Sequence, residues 1–287
     1  MPDYDAGFKI VAREAGSNLA RIGHVRCDDW SPIIGELQAV ERLADRAFRA
    51  KRGRSEFVVY REAYTRWQKS APWSVLAKSA LLSERERLPT VSLVYILLPR
   101  GYKRQGGGFR LAVESKPTQR VWFREICMWK QVVEPWWEES PGLMALTPLC
   151  RHQKSMGSVV THAVQSITDH TSDVVRRADL LTTLAIFGKL VQPGLDVIHL
   201  IGREAMKESK FFQEIETGAR TAGEQIGRRN SILSMIEERF GFTEMAEFAD
   251  ALEAVSDIGV LDELLRHVFR CRTIESFRRR FAELTKK

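Results

Sequence analysis

One run constrains this chain more than any other: residues 90–98, TVSLVYILL, which carry no charge and are rich in β-branched and aromatic side chains. A run of that length and content reads as a central strand buried on both faces, and such a strand needs a layer packed against each side. The neighbouring segments supply the layers. Residues 74–87 have a helical pattern, entered after Pro72 and left before Pro89. Ahead of them, 43–50 (LADRAFRA) and 56–64 (EFVVYREAY) alternate with period two and read as strands, joined by a turn at KRGRS containing Gly53. Beyond the central run, the loop PRGYKRQGGG leads to FRLAVES and QRVWFREICMW, an expected antiparallel pair. Strand, strand, helix, buried strand is the order of an α/β core with mixed strand directions. The stretch around Asp28, Trp30 and Pro32 reads as irregular. Residues 3–19 read as a helix with Phe8, Val11, Ala12 and Ala15 on one face.

From about Gly157 the pattern turns helical. Ile226, Leu233, Ile236 and Phe240 share one face, with Gly241 where a helix stops. Leu261, Leu264, Leu265, Val268 and Phe269 form a second stripe, and Thr273 is placed to cap a last helix. The expected division is a core over 1–150, a helical extension over 151–217 and a helical tail over 218–287. The most apolar stretch, residues 180–201, contains Lys189, Gln192, Pro193 and Asp196, so it reads as two buried helices parted at Pro193 and not as a membrane span. No basic stretch followed by an apolar run opens the chain, and Cys27, Cys127, Cys150 and Cys271 have no paired spacing. Both features suit a cytoplasmic protein with no membrane partner and no zinc framework.

The net charge of +7 is unevenly held: residues 1–150 carry 24 Lys+Arg against 17 Asp+Glu, and 151–287 carry 20 of each. A basic N-terminal half attracts polyanions, nucleic acid among them, although a solvated face that serves solubility would look the same.

Phosphodiester hydrolysis at a hard cation needs carboxylates that converge from neighbouring elements while leaving room for water and phosphate. Asp45 interrupts the first alternating strand. Glu62 lies near the end of the second, on the same face as Tyr60 and Tyr64. The plain alternative is that both acids are strand-edge charges paired with Arg46, Arg49 or Arg61.

The succession ERLADRAF, turn, EFVVYREAYTRW and LPTVSLVYILLPRGY resembles the recombination-promoting nuclease family, a transposase-like branch of the PD-(D/E)XK nucleases. DAGFK (Asp5, Phe8, Lys9) is similar to that family's N-terminal helix, where an acid precedes a Phe-Lys pair. PGLMALTPL (141–149) is similar to the segment after the family's core, and GEQIGRRNSILSMIEERFG to its Gly- and Arg-containing helical tail. The resemblance runs from Asp5 to about Phe277. It implies a mixed-sheet, restriction-endonuclease-like nuclease core over 1–150, with helices following. It implies a Mg2+-dependent DNA endonuclease of slight sequence preference, in which Asp45 matches the family's strand Asp and Glu62 its Glu, together holding the metal. Asp5 would be an outer-sphere helper. One departure stands out: two residues after the Glu, where the family has Gln or Lys, this chain has Tyr64. A tyrosine hydroxyl can hydrogen-bond the attacking water but carries no positive charge at neutral pH. A basic residue must then arrive from elsewhere, with Lys69 and Lys78 the candidates, or the site is slow or dead.

Other signals are weaker. The glycine-rich loop of 101–108 lacks the Gly-Lys-Ser/Thr ending of a phosphate loop, though Lys103 and Arg104 could touch a phosphate backbone. Trp129, Trp136 and Trp137 could stack on bases, but core packing or a partner surface is the commoner use. His162 and His170 lack ligand spacing on their expected helix, and Cys150 with His152 lacks an orienting third group. Three functional readings follow: a DNA endonuclease, a degenerate nuclease-fold module that binds DNA or regulates, and a structural homo-oligomer formed through the C-terminal helices.

Overall fold

A computed structural model describes residues 3–25, 28–33, 47–103, 106–113 and 116–285. The apolar run becomes strand β4 (Thr90–Ile96), with Leu93, Val94, Tyr95 and Ile96 wholly buried. It lies inside a six-stranded mixed sheet that also contains β1 (Asp29–Ile33), β2 (Ala47–Arg52), β3 (Ser55–Tyr64), β5 (Gly108–Val113) and β6 (Lys116–Cys127). The spatial order is β1-β2-β3-β4-β6-β5. β1, β2 and β3 are antiparallel neighbours, β4 runs parallel to both β3 and β6, and β5 returns antiparallel along β6. A two-residue turn joins Arg52 to Ser55, and Gly53, at φ 58°, supplies the positive φ that such a hairpin demands.

β1 corrects the reading of residues 28–32 as irregular. It is a short edge strand in which Pro32 faces Phe48, and an edge is where a ladder tolerates proline. The expected strand over 43–50 is seen over Ala47–Arg52, and residues 43–46 lie outside the described residues. The expected N-terminal helix is two helices, α1 (Asp3–Ala15) and α2 (Ser17–Ile22), parted at Gly16, whose φ of 49° leaves the right-handed helical region.

Each sheet face has its own cover. Helix α3 (Ala71–Glu86), with Pro72 in its first turn, lies over the face that bears Tyr60, Glu62 and Tyr64 of β3 and Val94 and Ile96 of β4. A bond of 2.6 Å between the Ser79 and Ser92 hydroxyls ties it down. The opposite face bears Val59, Arg61, Leu93, Tyr95 and Ile126. It packs against α1 and α2, and Phe8, Val11, Ala12 and Ala15 are buried on α1 as their spacing predicts. The Tyr95 hydroxyl donates to the Leu19 carbonyl. Arg61, adjacent to Glu62 and therefore on the other face, donates to the Gly16 and Ala12 carbonyls at 2.9 and 3.2 Å while its guanidinium lies 4.1 Å from the centre of the Phe48 ring.

The same core takes in α4 (Pro141–Met144), α5 (Met156–His170), α6 (Val174–Val191) and α7 (Val197–Ile201), so residues well beyond 150 share it. Pro193 falls between α6 and α7. The chain divides into two compact units, 1–212 and 213–287. The second unit is helical: most of α8 (Lys210–Phe240), then α9 (Phe242–Glu253), α10 (Ile258–Arg270) and α11 (Ile274–Thr285). Its own core contains Ile232, Ile236, Phe248, Leu252, Leu261, Leu264, Val268 and Phe277. Ile226 and Phe269, expected on the buried stripes, are 54% and 66% exposed, while Ile232 is buried instead. Thr273 Oγ1 accepts from Ser276 N at 3.4 Å, in the expected capping position. Among the described residues, no helix is long and apolar enough to cross a membrane.

Candidate functional site

Glu62 is the one buried carboxylate among the described residues of the sheet, at 5% exposure, and the reason it can be there lies in its neighbours. The strand period brings Tyr60 to the same face, and its hydroxyl donates to Glu62 Oε2 at 2.5 Å. Ser74 and Lys78, four residues apart and so on one side of α3, both reach Oε1: Ser74 Oγ at 3.1 Å and Lys78 Nζ at 2.7 Å. Lys78 is itself 8% exposed, and its ammonium sits 5.7 Å from the Tyr60 ring centroid. The result is a buried, charge-assisted carboxylate–ammonium pair with two hydroxyls attached.

Of the two lysines expected as candidates, Lys78 is the one at Glu62, and Lys69 stays exposed ahead of the helix. Among the described residues, Glu62 pairs with a lysine and with neither Arg49 nor Arg61. Arg49 pairs with Glu86 at 2.8 Å, and Arg61 points to the far face. Arg46 and Asp45 lie outside the described residues. Tyr64 shares the face of Glu62, and its ring packs with Val75, Val94 and Ile96. α1, which carries Asp5, packs on the sheet face opposite Glu62, so the sheet separates that helix from the carboxylate.

A second acid, Glu125 on β6, is in register with Glu62 through Val94 of β4. Two strand spacings of about 4.8 Å separate their backbones. Glu125 is engaged by the Tyr102 hydroxyl at 2.6 Å and the Gly107 amide at 2.9 Å. It belongs to a separate cluster.

The fit of a cation can be judged from the donor set. A carboxylate offers about four acceptor positions, and the described donors take three on Glu62, one of them on Oε2. Oε2 thus retains capacity for a hard cation, with a second acid required. Among the described residues no group of three or more His, Cys, Asp or Glu side chains gathers around a common point.

Burial pushes the Cys150 thiol far up, so it stays protonated, and the half-buried His152 ring bonds the Lys154 carbonyl at 2.8 Å. Both His162 and His170 are on α5, where His162 meets Glu138 and His170 bonds the Ser166 carbonyl. Trp137 is buried and Trp129 packs edge-on to Tyr102. Missed from the sequence was Trp122, which is 60% exposed on the outer face of the β5–β6 hairpin. Its position on the face opposite Val121 and Phe123 was legible, but not that the face would be bare. No family model matches the chain, and no curated protein or solved structure matches it either.

Proposed function

We propose that the chain is a metal-dependent DNA endonuclease whose working centre is Glu62 and Lys78. The observation that carries this reading is the buried Glu62–Lys78 pair, in which a helix provides the positive charge that position 64 lacks. The order of elements supports it: two helices, three antiparallel strands, a helix and a parallel strand are compatible with the restriction-endonuclease-like core that the resemblance implies. Asp45 is the candidate second acid. It precedes Ala47 by two residues, and Glu62 follows Tyr60, the cross-strand partner of Ala47, by two.

In this reading Glu62, with Asp45, holds one Mg2+, which supplies Lewis-acid stabilisation of the phosphoryl oxygens. The Lys78 ammonium would stabilise the negative charge that develops as water adds to phosphorus, loses its proton to solvent and the P–O bond to the leaving sugar oxygen breaks, that oxygen taking a proton from solvent. The Tyr60 hydroxyl and Ser74 hold the carboxylate in one orientation, and the positive charge of residues 1–150 holds the phosphate backbone. The test is nicking of a supercoiled plasmid. The wild type should cut with Mg2+ and stop with EDTA, and Glu62→Gln should lose about 100-fold or more. Equal rates for wild type and Glu62→Gln would end this reading.

A second reading has its own observation: three donors already surround Glu62, as they would around a carboxylate kept only for structure. In that case the fold binds DNA without cutting it, and Mg2+ leaves the plasmid intact.

A further inference from the structure

The face of the sheet turned away from α3 has a bare end. There the β5–β6 hairpin sets Arg110 opposite Arg120 and Gly108 opposite Trp122, all on one face. The Trp122 indole lies close against Gly108: a Cβ at residue 108 would come within 2.8 and 2.9 Å of two of its ring carbons. The Arg120 guanidinium stacks on the indole, 4.0 Å from the ring centre. Arg124, next along the same face, donates to the Gly23 carbonyl at 2.8 Å and remains exposed. Along this face of the hairpin, the described residues of β5 and β6 include no carboxylate.

The strip continues beyond the hairpin. A cavity of 450 Å³ beside Arg124 and one of 630 Å³ beside Trp30 share Ile22, His24 and Gln131 as lining. The larger one contains a second arginine–tryptophan stack, with Arg21 4.1 Å from the centre of the Trp136 ring. Trp136 is fixed in turn by its Nε1–H, which donates to Glu134 at 2.8 Å. One cation–aromatic stack thus lies in these adjoining hollows, which Arg21, Arg124 and Lys130 line together with Glu125 and Glu134, and the other lies on the hairpin next to Arg124.

We propose that this strip binds a single-stranded polynucleotide. Guanidinium planes and indoles are the surfaces on which unpaired bases stack, and the same arginines pair with phosphates. A duplex hides its base faces, so it would meet the arginines alone. A protein or lipid partner would leave unexplained why Trp122 and Trp136, at the two ends of the strip, each carry an arginine on the ring, whereas the exposed Trp73, on the α3 side, meets only the Phe109 ring edge-on. The inference takes its ligand class, polynucleotide, from the reading above, but it does not depend on cleavage.

The test is fluorescence anisotropy of labelled oligothymidine, oligouridine and a duplex with the full chain in EDTA, where no cutting can occur. Single strands should bind more tightly than duplex. Trp122→Ala should weaken single-strand binding about fivefold or more, with a similar further loss on adding Trp136→Ala. Arg120→Gln, a change on the exposed surface, should weaken it too and flatten its salt dependence. Binding is read on the wild type in EDTA and nicking in Mg2+, so failure of the nuclease reading and failure of this one are separable. Unchanged single-strand binding in Trp122→Ala and Arg120→Gln, or duplex bound at least as tightly as single strands, would overturn the proposal.

Discussion

A carboxylate at 5% exposure and an ammonium at 8% exist together only because each answers the other. Removing one partner of such a pair strands the other in a poorly hydrated site, a loss of about 3–5 kcal/mol. Lys78→Met should therefore lower the urea midpoint markedly, and Lys78→Met combined with Glu62→Gln should recover part of the loss. If the double variant were no more stable than the single, the pair would not be coupled. Lys78 was legible in the sequence only as one of two lysines. Choosing between them required the phase of α3, since Ser74 and Lys78 share a side by their spacing of four while Lys69 precedes the helix. Arg61, offered by the sequence as a partner for its neighbour Glu62, illustrates the converse. Adjacent strand residues point to opposite faces, so their charges cannot meet.

Among the elements, β4 and α3 were legible because their composition admits little else: an uncharged β-branched run, and an amphipathic segment bracketed by Pro72 and Pro89. β1 was not, because an edge strand of five residues containing proline gains its identity from pairing with β2 rather than from its own pattern. The break between α1 and α2 was equally hidden, and Arg61 explains how it is held. Its guanidinium takes two carbonyls at the end of α1, groups that a helix C-terminus leaves without partners of its own. Arg61→Met keeps much of the volume and removes those bonds. It should cost about 2–3 kcal/mol, read as a lower thermal midpoint with secondary structure retained. A midpoint equal to that of wild type would show that α1 is anchored by its apolar face alone.

At the scale of the whole chain, the two units differ in charge and in chromophores. Residues 1–212 hold 32 Lys+Arg against 23 Asp+Glu, and 213–287 hold 12 against 14, so the polyanion-attracting excess belongs to the first unit. Every tryptophan and tyrosine also lies in the first unit. Tryptophan fluorescence therefore follows that unit alone, while far-UV circular dichroism follows the helices of both. With separate hydrophobic cores, the two signals should give non-coincident urea transitions. Coincident curves would mean that the units unfold as one. The helical tail was legible as helices with an apolar stripe, but its separate core was not, because the unit boundary falls inside the continuous helix α8.

The central claim is that the Glu62–Lys78 pair performs chemistry and does not merely fill the space beneath α3. Its most direct measure is the initial rate of Mg2+-dependent plasmid nicking by Lys78→Met, at a temperature where circular dichroism shows the variant folded. A fall of about 100-fold or more relative to wild type is the predicted result, whereas a folded Lys78→Met that nicks at the wild-type rate would contradict it.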